Sequence, residues 1–299
     1  MVIMVEIEVA GFLSMYPYFF VLVAAVLWGM TGTTQTLLDD GISPVAVATI
    51  RSAIGGGLLL VVAIALRKIH IRTWPWQLTL LAAASIALFQ GLFFSSIRLT
   101  GVAIGTVVTI GSAPVFSGVL EWLLWKVRPT KVWGISTTLA IVGCVLLFVN
   151  NGEASVHMGG IILALCAGMS FAFYTNVSKK LMMREEALPA VAMTFSLCAL
   201  LLLPFSISDG YSWIAQSHNL WSMFFMGVMC TSVAYLLFLS GLQKISSSSA
   251  VTLSLAEPLT AAMLGVFLVG EYLSVTSWIG VAMLLGGILV LTLGSKNTK

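Results

Sequence analysis

The sequence is divided into ten long apolar runs by short polar segments. An α-helix needs about 20 apolar residues to cross the hydrocarbon core of a bilayer, so each run predicts one membrane-spanning helix. Only 8% of the residues are charged, whereas a water-soluble domain carries roughly 25%. Lipid must therefore be the solvent for most of the protein. We predict an all-α, polytopic membrane protein with spans at 16–38, 44–66, 77–97, 102–125, 132–149, 158–178, 188–208, 219–241, 250–270 and 275–294.

Basic residues are distributed unevenly over the predicted loops. Short loops that are rich in Lys and Arg tend to stay in the cytoplasm. With the N-terminus inside, the inner loops and the tail contain 12 of the 14 Lys and Arg residues. We therefore predict that both termini lie in the cytoplasm. The predicted outer loops carry the acidic residues Asp39, Asp40, Glu153, Asp209 and Glu271.

The segment before the first apolar run contains Glu6 and Glu8 but no Lys or Arg. A signal peptide begins with a positively charged region, so this segment is not predicted to be one. We interpret residues 1–15 as an N-terminal extension. A natural translation start at Met15 is an alternative interpretation.

The two halves of the chain resemble each other. The segment 93–120 can be aligned with 237–264 without a gap. Each half has five predicted spans, and because five is odd the second half enters the membrane from the opposite side. Many secondary transporters are built from such inverted repeats. We predict two five-helix repeats, at 16–149 and at 150–299, the second with a short cytoplasmic tail.

Several segments resemble the drug/metabolite transporter (DMT) superfamily, in its EamA-type branch. They are Trp28-Gly29, Arg51, SAPVF at 112–116, and LSLAEPLTAAMLGVFLVGEYLS at 253–274 followed by WIG at 278–280. The resemblance implies a small-molecule carrier, often an exporter of amino acids or related metabolites. It also implies a central cavity between spans 1, 3, 4, 6, 8 and 9. The substrate itself does not follow, because one fold serves many substrates.

Polar and aromatic residues deep in the spans are candidates for the wall of that cavity. Polar side chains inside a membrane are tolerated where they face a cavity or each other. Glu257 could bind an ammonium group, or take up a proton and couple transport to a proton gradient; a purely structural role near a kink is the alternative. The candidates are Trp28, Gln35, Gln90, Phe94, Ser112, Tyr174, Tyr235 and Glu257.

Arg51 is a possible charge site in the outer part of span 2. Its planar guanidinium could bind a substrate carboxylate. We favour a structural role, either in an ion pair with Asp39 or Asp40 at the outer surface or in hydrogen bonds to carbonyls at a helix end. Because Arg51 and Glu257 are predicted in different halves of the membrane, one substrate is not expected to contact both.

Glu121 lies near the predicted cytoplasmic end of span 4. Lys126 and Arg128 follow it closely in the sequence. We therefore predict an ion pair at the membrane interface.

Pro114 and Pro258 occupy equivalent positions in the two repeats and are candidate hinges. Proline donates no backbone N–H and disturbs the helix at the carbonyl four residues earlier. The carbonyls that lose their partners are predicted to be those of Ile110 and Ser254. A static kink is the alternative interpretation.

No pattern indicates catalysis, a metal site, a cofactor or nucleic-acid binding. The three histidines lie in loops at spacings that suit no metal site, and the net charge of +3 is not arranged as a basic stripe. The predicted partners are a small-molecule substrate and membrane lipid, and the oligomeric state stays open. The leading hypothesis, which follows the family resemblance, is a multi-pass carrier of the bacterial cytoplasmic (inner) membrane that exports small metabolites, above all amino acids or related compounds, by alternating access. The alternatives are an exporter of cationic drugs or amines, a membrane enzyme and a non-transporting scaffold.

Overall fold

The computed structural model describes residues 2–39, 41–148, 157–270 and 272–294, and their side chains except those of 2–14, 103, 209 and 269. Short 3₁₀ turns lie at Ile207–Asp209 and Ser212–Ala215, and π-helical turns at Met226–Val233 and Gly265–Val269. The helices are α1 (Val2–Gln35), α2 (Pro44–Ala65), α3 (Trp76–Trp125), α4 (Lys131–Phe148), α5 (Met158–Leu181), α6 (Ala187–Ser206), α7 (Ser217–Phe225), α8 (Ala234–Leu242), α9 (Ser247–Leu253), α10 (Ala256–Leu264) and α11 (Val275–Gly294).

Ten helical stretches of the described residues are long and apolar enough to cross a membrane, which confirms the predicted all-α, ten-span architecture. Apolar length is a property of the sequence alone, so the span boundaries lie close to the predicted ones. In chain order, spans 1 to 10 are Met15–Gln35, Pro44–Ala65, Trp76–Val102, Ile104–Trp125, Lys131–Phe148, Met158–Leu181, Ala187–Ser206, Ser217–Leu242, Ser247–Leu268 and Val275–Gly294.

Spans 3 and 4 follow each other without a loop, and the chain reverses its direction at Gly101. This residue has φ 81° and ψ 163°, a conformation that side chains disfavour. The reversal is tight, because a Cβ added to Gly105 would lie 3.1 Å from the backbone of Ile97.

Corresponding spans of the two repeats pack against each other. Helix α2 packs along α6, and α4 packs along α11, so span 2 contacts span 7 and span 5 contacts span 10. Helix α5 packs along α3, while α1 packs along α8 and α10. Span 6 therefore contacts spans 3 and 4 as span 1 contacts spans 8 and 9, which is the relation expected between two-fold related halves.

Glycines bring spans 5 and 10 into backbone contact. A Cβ added to Gly143 would lie 2.6 Å from the backbone nitrogen of Leu284, and one added to Gly280 would lie 2.6 Å from the carbonyl oxygen of Gly143. Small residues permit such close approach of membrane helices. The pair of spans 5 and 10 thus tolerates no larger side chain at these contacts.

The two equivalent prolines have different effects on their helices. Span 9 is interrupted at Ser254 and Leu255, one turn before Pro258. The Ser254 carbonyl accepts a hydrogen bond from the Glu257 N–H at 2.9 Å, in place of the N–H that proline lacks. Helix α3 continues through Pro114 without an interruption. A hinge function stays a prediction for both prolines.

Candidate functional site

A cavity of about 650 Å³ lies at the centre of the bundle. It extends from the loop between spans 1 and 2, at Leu38 and Asp39, to Val251 and Ser254 in the interior. Its wall is formed by spans 1, 3, 4, 6, 8 and 9, together with residues of span 2 and Phe148 at the end of span 5. Pockets of about 300–1,000 Å³ are typical for small-molecule ligands, so the cavity has the size of a metabolite site.

Aromatic rings form the deep part of the cavity wall. The ring centroid of Trp28 lies 4.7 Å from that of Tyr235 and 6.2 Å from that of Phe171. Phe238 packs behind them, with its centroid 5.1 Å from Trp28. Phe89 extends the wall at 5.2 Å from Phe171. These edge and tilted contacts hold the rings in a fixed arrangement.

Arg51 lines the cavity and is held by a neutral side chain. Its Nε and Nη2 lie 3.2 and 2.7 Å from the Oε1 of Gln90. Gln90 is only 2% exposed, and its Nε2 donates to the Sγ of Cys198 at 3.4 Å. Among the described residues, no carboxylate lies within 4.0 Å of the guanidinium. Arg51 therefore lies at the cavity wall without a direct ion pair to any described carboxylate.

Asp39 does not pair with Arg51, so that part of the favoured interpretation is wrong. Its carboxylate instead accepts a hydrogen bond from the Nδ2 of Asn219 at 2.7 Å and lies 3.1 Å from the Nε2 of His218. These hydrogen bonds, that from Asn219 first, lower the pKa of Asp39 from its usual 3.8. Asp40 lies outside the described residues.

Glu257 is partly exposed and lines the same cavity as Arg51. We expected that no single solute could contact both residues, because they were predicted in different halves of the membrane. In the structure both side chains line one cavity. Across the described part of the chain, no hydrogen bond or ion pair involves the Glu257 carboxylate. Its backbone is fixed against span 1, because a Cβ added to Gly29 would lie 2.6 Å from the Glu257 carbonyl oxygen.

Most of the predicted cavity residues come together in this wall. Ser112 and Tyr174 do not line the cavity. Ser112 packs into the space that Gly168 leaves on span 6, and Tyr174 is fully buried behind Phe171, at 6.1 Å between ring centroids. Pro114 is also buried away from it. The predicted residues that line the cavity are Trp28, Gln35, Arg51, Gln90, Phe94, Tyr235, Glu257 and Pro258.

Span 2 contributes more to the wall than the sequence analysis anticipated. Pro44, Val47 and Arg51 all line the cavity. Their spacing of three and four residues places them on one helical face. That spacing was visible in the sequence and could have identified Val47 as a neighbour of Arg51.

Glu121 binds the start of α9 at the end of the bundle opposite Leu38 and Asp39. This side chain is 8% exposed and accepts hydrogen bonds from the N–H groups of Ser247 at 3.0 Å and Ser248 at 3.2 Å, and from the Ser248 hydroxyl. The predicted ion pair with Lys126 or Arg128 is wrong. The reason is that the first N–H groups of a helix have no partners within the helix and attract an anion.

Lys179 binds the segment that connects α8 to α9, at the same end of the bundle. Its Nζ donates to the carbonyl oxygens of Leu242 at 2.6 Å, Gln243 at 3.2 Å and Ile245 at 2.8 Å. Lys179 thereby satisfies carbonyls at the C-terminal end of α8, and Glu121 satisfies N–H groups at the N-terminal end of α9. We call these two residues and their bonds the 243–246 brace. No residue of the 243–246 loop, all of which is described, lines the cavity.

Comparison with known proteins gives a consistent result. The EamA-like transporter family matches residues 15–149 and 158–293. An uncharacterized transporter of Bacillus subtilis (strain 168), YwfM, is 43% identical over 280 residues, which cover 94% of this chain and 95% of that protein. The uncharacterized inner membrane transporter YicL of Salmonella typhimurium is 26% identical over 288 residues, which cover 93% of this chain and 95% of that protein.

A solved crystal structure shares the fold, with a TM-score of 0.82 and 18% identity over 95% of this chain and 98% of the other. The ten apolar helices and the transporter relatives identify a multi-pass protein of the bacterial inner membrane. A small-molecule substrate and a lipid environment follow from this. The chain belongs to the EamA-like transporter family, within the drug/metabolite transporter superfamily, and is a transporter rather than an enzyme.

Proposed function

We propose that this transporter exports small metabolites, above all amino acids or related compounds, by alternating access around the central cavity. The observation that carries the proposal is the lining of one cavity by Arg51, Glu257 and a wall of aromatic rings. An amino acid has a carboxylate, an ammonium group and a side chain. Arg51 suits the first, Glu257 the second, and the aromatic rings around Trp28 suit an apolar side chain.

Both termini are proposed to face the cytoplasm. The excess of Lys and Arg in the loops at one end of the bundle supports this orientation. The cavity, which reaches the 36–43 loop, then faces outward, and the 243–246 brace closes the cytoplasmic side. Export would require this brace to open, and the helix interruption at Ser254 and Leu255 lies in the span that must move.

Glu257 is the residue we propose for proton coupling. It faces the cavity without a protein partner among the described residues. A carboxylate in a membrane is costly when it is ionised without a partner, which favours exchange between a bound ammonium group and a proton. The carrier would then exchange a substrate for a proton at one carboxylate.

Export of cationic drugs or amines is the second candidate. The aromatic wall and Glu257 together support it, because aromatic faces and a carboxylate both attract an organic cation. The charge of Arg51 in the same cavity opposes it. A cation would enter a cavity in which a positive charge is not neutralised by any described carboxylate within 4.0 Å.

A counterflow assay in proteoliposomes tests the proposal. Vesicles are loaded with a mixture of amino acids, organic acids and amines, and mass spectrometry identifies the solutes that leave. The wild type is compared with Glu257→Gln and with Glu186→Gln, a control in an exposed ion pair with Lys68. Selective loss of amino acids from wild-type and Glu186→Gln vesicles, but not from Glu257→Gln vesicles, would support both the substrate class and the role of Glu257.

The other outcomes are equally informative. Loss of amines alone would favour the second candidate. Equal loss of amino acids from all three kinds of vesicle would keep the carrier and remove Glu257 from its mechanism. Absence of any protein-dependent flux would contradict the metabolite proposal for this set of solutes.

A further inference from the structure

We infer that Arg51 and Gln90 form a carboxylate subsite, in which Gln90 is a positioning residue that fixes the guanidinium without neutralising it. The subsite makes a carboxylate a requirement for transport and excludes the corresponding amines. This inference rests on the proposed function, since it specifies which chemical group of the exported metabolite the cavity recognises.

The hydrogen bonds of Arg51 leave donors available. An arginine side chain has five N–H groups, of which two bond to the Oε1 of Gln90. The remaining three have no acceptor among the described residues. A carboxylate matches the geometry of such donors and forms short, charge-assisted hydrogen bonds with them. The cavity wall therefore presents a fixed cation with unused donors.

The neutrality of Gln90 is the second observation. Gln90 is 2% exposed, and its amide is oriented from behind by Cys198, whose Sγ in turn lies 3.9 Å from the Ser52 hydroxyl. A glutamate at this position would form an internal ion pair with Arg51 and use up its charge. A glutamine orients the guanidinium equally well and leaves its full positive charge for a ligand. A cation at depth in a membrane that has no directly paired carboxylate is costly, which points to a ligand that pairs with it.

The second charge of the cavity supports the same conclusion. Glu257 lines the cavity without a protein partner among the described residues, so Arg51 and Glu257 do not neutralise each other through a direct ion pair. Asp39, the other carboxylate among the described residues that line the cavity, bonds to Asn219 and lies beside His218. A zwitterion can pair with Arg51 and Glu257 together, whereas an amine supplies no counter-ion for Arg51.

Matched solutes test the subsite. L-leucine, L-leucinamide and isoamylamine share one side chain, and only leucine has a carboxylate. Competition of each solute in the counterflow assay gives a preference ratio for wild type, Arg51→Gln, Gln90→Glu and Gln77→Glu. Gln77 is exposed and does not line the cavity, so Gln77→Glu adds the same charge elsewhere. Where leucine is a poor substrate, the same three forms of an accepted amino acid replace it.

We expect wild type and Gln77→Glu to prefer the carboxylate form by roughly 10- to 100-fold, the range for a charge-assisted hydrogen-bonded pair. Gln90→Glu should abolish this preference without lowering the thermal stability, because its new carboxylate pairs with Arg51 from within. If the role of Gln90 were only structural, Gln90→Glu would leave the preference for the carboxylate form unchanged, because the stronger internal pair would still hold Arg51 in place. Gln90→Glu preserves side-chain length, and so keeps the test decisive if Arg51→Gln fails to fold.

Two results would overturn the inference in distinguishable ways. A wild-type carrier that transports the acid, amide and amine forms equally, with Arg51→Gln unchanged, would remove the carboxylate subsite and leave the carrier intact. A wild-type protein that transports none of the solutes would overturn the proposed function, and the subsite with it.

Discussion

Removal of the Glu121 carboxylate should destabilise the start of α9, and the hydrogen bonds that Glu121 accepts determine by how much. Helix α9 begins at Ser247, and its first N–H groups all have partners. Glu121 accepts from Ser247 and Ser248, and the hydroxyl of Ser246 accepts from Ser249 at 3.1 Å. The N–H of Ala250 makes the first bond within the helix turn, to the Ser246 carbonyl at 3.0 Å. Glu121→Ala therefore leaves two N–H groups without a partner.

Each unpartnered buried N–H costs about 1–3 kcal/mol. The opening of α9 should thus become easier by about 2–6 kcal/mol, which is roughly a 30-fold to 20,000-fold change in an equilibrium constant. Hydrogen exchange measured by mass spectrometry on the peptide that contains residues 247–253 reports this opening. Glu121→Gln should have an intermediate effect, because its single amide oxygen is neutral.

Glu186→Ala is the matched control for this measurement. Glu186 lies at the same end of the bundle, but its pair with Lys68 is exposed, with side chains 68% and 40% accessible. Such a pair contributes about 0–1 kcal/mol, so exchange should change by about five-fold at most. Exchange in the 247–253 peptide of Glu121→Ala that is no faster than in Glu186→Ala would refute the reasoning.

The remaining predictions concern the hinge, the helix contacts, the brace and the loop at the cavity mouth. Pro258→Ala supplies an N–H that can close the interruption in span 9, so counterflow should fall while the melting temperature is kept or raised. Gly143→Ala places a Cβ 2.6 Å from the backbone of span 10 and should cost about 1–3 kcal/mol in thermal unfolding, whereas Gly57→Ala, with open space around it, should be neutral or stabilising. Lys179→Met leaves three carbonyls without their donor and should speed exchange in the 243–246 segment. Because the folded-state pKa of Asp39 is lowered, this carboxylate stabilises the fold above its usual pKa of 3.8, and the stabilisation is lost as the pH falls through the lowered pKa. Hydrogen exchange in the 36–39 segment, corrected for the intrinsic rate, should therefore rise only at acidic pH. Asp39→Asn should remove this pH dependence.

The sequence predicted the number and placement of the spans because apolar length requires no knowledge of contacts. It also identified Trp28, Gln90 and Tyr235, since aromatic and polar residues at depth tend to face a cavity or a neighbour. Helix rotation and packing partners were not accessible in the same way. We predicted Asp39 or Asp40 as a partner of Arg51 because both are close in the sequence. The structure instead gives Arg51 a partner in span 3 and gives Asp39 partners 179 and 180 residues away.

The same limitation explains the errors at Glu121 and Ser112. Nearby basic residues made an ion pair of Glu121 the obvious interpretation, whereas its real partners are the N–H groups of a helix that begins 126 residues later. Ser112 has the polarity of a cavity residue, but it packs against span 6 because Gly168 has no side chain and leaves space for it. In both positions the decisive group was a backbone N–H or an absent Cβ, and a single sequence does not show which side chain will contact it.

The 243–246 brace also makes the two ends of the carrier unequal. The alignment of 93–120 with 237–264 continues to place Glu121 opposite Gly265, which has no side chain to bind a helix end. In the cycle that we propose, the hydrogen bonds of Glu121 thus stabilise the outward-facing shape and have no counterpart at Gly265 in the inward-facing shape. Each 1.4 kcal/mol of that difference changes the ratio of the two populations about ten-fold. The empty carrier would therefore accumulate in the outward-facing shape. Its return to the inward-facing shape, rather than the outward step, would limit the rate of export.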